Sequence, residues 1–127
     1  MTNEQTALAR RAVACRGWTW GPGMLDLFGR RVRSVWPDDL GIHWSHIPES
    51  CVVRDADALP DLTDPATVGC LLALVREAWG MSTGITVSYS SDEGLWGVSW
   101  CGATHGGWCG RGTTEAEALV AALEGAP

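Results

Sequence analysis

Lysine is absent from this chain of 127 residues, while asparagine (Asn3), tyrosine (Tyr89) and phenylalanine (Phe28) each occur once. Without lysine there is no side-chain amine to form an imine, so Schiff-base chemistry on this chain is excluded. All positive side-chain charge, histidines aside, rests on nine basic residues, every one an arginine, against fifteen carboxylates, for a net charge of -6 and a pI near 4.8. That balance argues against a basic stripe for direct nucleic-acid binding. No apolar run approaches the roughly 18–20 residues of a membrane span, and residues 2–16 are too polar for an export signal. The expectation is a cytoplasmic protein with no membrane partner, whose five cysteines stay reduced. Lys, Asn, Tyr, Phe and Ile use AT-rich codons, so a GC-rich genome explains part of these deficits.

Against those shortages stand eight tryptophans. An indole offers a broad apolar face and one N–H donor, the equipment of a site that stacks on a sugar, a base or a nucleotide. Burying an indole also stabilises a core strongly, so each tryptophan has a structural reading beside the functional one. A chain of this length is expected to form one domain, residues 1–127, burying on the order of two-thirds of its unfolded surface. Arg10, Arg11, Arg16, Arg30, Arg31 and Arg33 fall early, and acidic residues dominate from Asp38 to Asp64. Two solvated faces account for this; an anion pocket built from the early arginines is the sharper alternative.

Apolar spacing predicts a helix over residues 3–16, with Leu8, Ala12 and Cys15 on one face and Gly17 as its stop. Residues 31–36 alternate as a strand, Pro37-Asp38-Asp39 turns, and Gly41 to Ser45 returns. A further short strand is possible over Cys51 to Arg54. Asp64 as N-cap and Pro65 at the first helical position open a helix that closes at Gly80. Within it Val68, Leu71, Leu72, Val75 and Trp79 recur at helical spacing, an apolar arc suited to packing on a sheet. Residues 84–90 and 95–101 alternate around the turn Ser91-Asp92-Glu93-Gly94, a hairpin with Trp96, Val98 and Trp100 on one face. Trp108 to Arg111 adds a third short strand, and the capping box Thr114-x-x-Glu117 opens a last helix. The fold class expected is α+β: a small sandwich whose antiparallel sheet of four to five strands is packed by three helices, in the order α-β-β-α-β-β-(β)-α.

The glycine-rich runs carry neither a P-loop nor a dinucleotide fingerprint. Cys101-x3-His105-x3-Cys109, with His43 and His46 as remote partners, is the one metal-like pattern, looser than the tight pairs zinc favours. The same residues could make a Cys–His nucleophile, although nothing local activates the thiol. Paired carboxylates sit in turns or caps, where Asp serves the backbone. No catalytic residue, metal ligand or cofactor is therefore assigned. Trp79, Trp96 and Trp100 read as core. Trp18 and Trp20 lie in a Gly/Pro-rich stretch beside Arg16, and Trp36, Trp44 and Trp108 fall at strand ends or turns, where an exposed aromatic marks a binding site.

Three stretches carry a resemblance: Ala12 to Trp20 through Pro22-Gly23-Met24, Leu59 to Thr67 with its helix to Trp79, and Thr114 to Leu119. Together they resemble small phage and prophage proteins of the phage ABA sandwich domain family. Residues 25–58 depart from that pattern. The resemblance implies a small cytoplasmic phage protein with helices on an antiparallel sheet, and it carries over no catalytic residues. The function expected is a binding module without catalytic activity, serving counter-defence in the host cytoplasm. One form sequesters a nucleotide-like signal, with Trp18 and Trp20 for stacking and Arg16, Arg30 or Arg31 for phosphate, and Trp36, Trp44 and Trp108 as further ligand-binding candidates. The other blocks a host defence protein such as a CRISPR effector, presenting Asp38, Asp39, Asp55 and Asp57 to a basic groove. A homo-oligomer is expected in either form. The alternative class is a metal- or cysteine-dependent hydrolase centred on Cys101, His105 and Cys109.

Overall fold

The computed structural model describes residues 2–35, 42–45, 58–102 and 106–127. The chain divides into two compact units, Met1–Val13 with Thr19–Cys70, and Ala14–Trp18 with Leu71–Pro127. Among the described residues, three helices and five strands follow in the order α-β-β-α-β-β-β-α, so the α+β class holds. The short strand expected at Cys51 to Arg54 lies outside the described residues.

In the first unit, α1 (Asn3–Ala14) begins with a capping pair that hydropathy alone did not disclose. The Gln5 N–H donates to Thr2 Oγ1 at 3.1 Å, and the Thr2 N–H donates to Gln5 Oε1 at 3.0 Å. Two otherwise orphaned donors are satisfied reciprocally. β1 (Val32–Val35) pairs antiparallel with β2 (Ile42–Trp44), with an irregularity between Val32 and Ser34. Met24, Val32, Ile42, Trp44, Ala58 and Leu62 are buried here.

Helix α2 (Pro65–Ala78) starts as its sequence predicts: Asp64 Oδ2 accepts the Thr67 N–H at 3.0 Å. It ends in a Schellman arrangement. Gly80 adopts φ +67°, the Gly80 N–H donates to Glu77 O, and the Met81 N–H donates to Arg76 O. Gly17, expected as the equivalent stop for α1, is not among the glycines of positive φ. A Cβ there would come within 3.0 Å of Leu123 Cδ1, so close packing explains its glycine better than a cap does.

The second unit holds β3 (Ile85–Ser90), β4 (Leu95–Cys101) and β5 (Gly106–Gly112), antiparallel in that order. Among the described residues this sheet has three strands, and β1 and β2 pair with each other in a separate ladder. Period-2 alternation identifies a strand but not its partners, and both ladders consist of strands consecutive in sequence. Helix α3 (Glu115–Glu124) covers one face of the sheet along β4 and β5. Glycine makes this approach possible. A Cβ on Gly110 would collide with the backbone of Ala118 and Ala122, and one on Gly112 would lie 2.7 Å from Ala118 N. Thr114 caps α3 by accepting the Glu117 N–H at 3.1 Å; the Glu117 carboxylate accepts from Thr113 Oγ1 rather than closing the box on Thr114.

Candidate functional site

Register places the side chains of the three-stranded sheet on two faces. Ile85, Val87 and Tyr89 lie opposite Trp100, Val98 and Trp96, and Val98 faces Gly110 beneath α3. Val98 and Ile85 are buried, as expected of a face turned inward. The other face is polar. Thr86 pairs with Ser99, Ser88 with Gly97 and Ser90 with Leu95, and β5 continues these rows as Trp108 beside Ser99 and Arg111 beside Gly97.

Trp108 and Arg111 are three apart, a spacing that puts side chains on opposite faces of a regular strand. The register shift between Val98 and Ser99 leaves Cys109 as an extra residue, since Ser99 pairs with Trp108 while Val98 pairs with Gly110. This bulge brings both residues to the polar face. The Trp108 indole leans over Gly97, where a Cβ would collide with the outer edge of its six-membered ring. The Arg111 guanidinium carbon lies 4.3 Å from a Trp108 ring centroid, a cation–π contact. Trp108 nevertheless stays 55% exposed. Glu93, from the β3–β4 turn, places Oε2 3.5 Å from Arg111 Nη1. Ser88, Ser90, Glu93, Trp108 and Arg111 all line a shallow, open hollow. Its enclosed space is about 20 Å³, room for little more than one water, so a ligand would rest on this surface rather than inside a pocket.

The first unit gathers Trp20, Arg30 and Trp44, but uses them internally. Trp44 is buried to 1% exposure, with the Trp20 ring edge-on at 5.5 Å and the Arg30 guanidinium 4.5 Å from the Trp44 centroid. Arg30 Nε also donates to Asp26 Oδ2 at 2.6 Å. Asp26 is fully buried and takes the Phe28 and Arg30 N–H groups on Oδ1, so the turn that carries Arg30 is built around this carboxylate. Arg31 is bound to Asp64 through Nη1 and Nη2 at 3.1 and 3.2 Å and to Gly23 O at 2.6 Å. The Arg31 guanidinium, with lesser help from Thr67, holds the Asp64 carboxyl down at about 2, and the same contact raises the Arg31 pKa. Expected as phosphate ligands, both arginines have carboxylate partners. Sequence spacing could not show this, because Asp64 is 33 residues from Arg31.

Of the remaining expected residues, Arg16 is exposed and Trp18 half-buried in the second unit, and Trp36 lies outside the described residues, as do Asp38, Asp39, Asp55 and Asp57. Cys101 is exposed, whereas Cys109 is buried and its thiol is pushed up by that burial. His105 and His46 lie outside the described residues, among which no group of three His, Cys, Asp or Glu is placed to hold a metal ion. Also among the described residues, no helix is long and apolar enough to cross a membrane. Sequence reasoning singled out Trp108 but missed Ser88, Ser90, Glu93 and Arg111. Alternation in β3 already set its serines opposite the apolar face, but the bulge that recruits Arg111 left no signal in composition. Comparison with known proteins finds no matching family model, curated protein or solved structure.

Proposed function

We propose that this protein is a small binding module without catalytic activity, which sequesters a nucleotide-like small molecule on the polar face of its three-stranded sheet. The observation that carries this reading is Trp108: more than half exposed, backed by Gly97, flanked by Arg111 and set among serine hydroxyls. An exposed indole is a surface on which a planar ring can stack, beside or in place of the Arg111 guanidinium, and stacking of this kind contributes roughly 1–3 kcal/mol per base. The phage setting, the counter-defence role, the host cytoplasm, the homo-oligomer and the full sandwich of four to five strands belong to the same proposal. The phage setting, the host cytoplasm and the sandwich rest on the likeness to phage ABA sandwich domains, the counter-defence role on small size, acidity and surplus tryptophan, and the homo-oligomer on the exposed aromatic surface. A hydrolase centred on Cys101, His105 and Cys109 has less to support it, since burial keeps the Cys109 thiol protonated.

Titration of the full chain with cyclic dinucleotides, ADP-ribose and adenosine, followed by tryptophan fluorescence and melting temperature, tests the proposal. At least one probe is expected to quench emission and raise the melting temperature, and Trp108→Ala is expected to abolish both effects. Silence from every probe, or full binding by Trp108→Ala, would remove the reading.

A further inference from the structure

We infer that the Trp108 face recognises a neutral sugar ring, as a free glycoside or as the ribose of a nucleoside, through its hydroxyls rather than through a phosphate. The inference rests on the reading of this face as a ligand site and specifies what the site selects.

Arg111 is the cation of the hollow, and it is already opposed by Glu93 at 3.5 Å. A phosphate brought to Arg111 would lie beside the Glu93 carboxylate, on a chain of net charge -6, and like charges at that range repel. The 3.5 Å separation is an ion pair, but it is too long for a good hydrogen bond, so both groups keep hydrogen-bonding capacity. Exposed pairs of this kind are weak and open easily. A guanidinium offers only donors and a carboxylate only acceptors, whereas each hydroxyl of a vicinal diol both donates and accepts. A diol can therefore satisfy the two together; a phosphate satisfies one and opposes the other.

The rest of the hollow fits the same chemistry. Ser88 and Ser90 bring hydroxyls able to donate or accept to the same lining as Trp108. The indole supplies an apolar platform for the C–H face of a sugar.

The test is calorimetric titration of full-length wild type, Trp108→Ala and Glu93→Gln with adenosine, AMP, 2′,3′-dideoxyadenosine, methyl β-D-ribofuranoside and inorganic phosphate. Wild type is expected to bind adenosine and AMP within about threefold of each other, and dideoxyadenosine, which lacks both hydroxyls of the diol, at least about tenfold more weakly. Inorganic phosphate should give no heat. Glu93→Gln should weaken adenosine about tenfold and leave AMP the tighter of the two. Competition by the methyl riboside would identify the sugar alone as sufficient, and its failure beside adenosine binding would identify the ribose of a nucleoside; either supports the inference. AMP binding about tenfold tighter than adenosine in wild type, or dideoxyadenosine equal to adenosine, would overturn it while leaving the face as a ligand site. No binding of any probe would overturn both readings.

Discussion

Trp44 and Trp108 are the same residue type on strands of the same chain, and they do opposite work. Trp44 is enclosed, with a cation over its ring and, among the described residues, no hydrogen-bond partner for its buried Nε1. Such an orphaned donor costs about 1–3 kcal/mol, so this indole is held by packing. Trp108 is open on a polar surface. The Asp64–Arg31 pair makes a separate prediction about pH. Because the folded Asp64 carboxyl sits at about 2 instead of 3.8, its contribution is full above pH 4 and is lost as pH falls through 2. With Arg31 partly open to solvent, a contribution on the order of 1 kcal/mol is expected. Asp64→Asn keeps the helix cap but loses the ion pair. Urea unfolding at pH 7 should show that loss, with a shallower decline in stability between pH 4 and pH 2 than in wild type. Thiol chemistry gives another outcome: a maleimide should label Cys101 of the native protein within minutes and Cys109 only after unfolding, as their exposures require. Rapid native labelling of Cys109 would revive it as a nucleophile.

Among the elements, β5 carries both the packing and the site. Its glycines admit the backbone of α3 on one face, and its bulge turns Trp108 and Arg111 out on the other. Gly110→Ala should destabilise by about 1–3 kcal/mol or more in urea unfolding, because the methyl meets helix backbone that cannot rotate aside. Thr114→Ala should cost about 1 kcal/mol through loss of the α3 cap. Gly97→Ala should displace the Trp108 ring and weaken ligand with a smaller effect on stability, which parallel binding and unfolding measurements would separate. Most of these elements were legible in the sequence. Helix α2 was signalled by Asp64-Pro65 and Gly80, and the β3–β4 hairpin by clean alternation around Gly94. The site was less legible. A bulge depends on which residues pair across the ladder, and the partners of Arg30 and Arg31 depend on tertiary folding, neither of which periodicity records.

At the scale of the whole molecule, Arg30 and Arg31 serve a different end from Arg111. Arg30 and Arg31 serve carboxylates of the first unit, and Arg111 faces a hollow in the second. A net charge of -6 without a basic stripe sets the expectation that double-stranded DNA is not retained at physiological salt. The eight indole N–H groups provide the most direct test of where a ligand sits. In nitrogen–proton correlation spectra, with Trp108→Phe and Trp44→Phe used for assignment, adenosine or ADP-ribose should move the Trp108 indole signal and leave that of Trp44 in place. Movement of the Trp20 and Trp44 signals, with Trp108 unmoved at saturation, would contradict the account and return the site to the first unit.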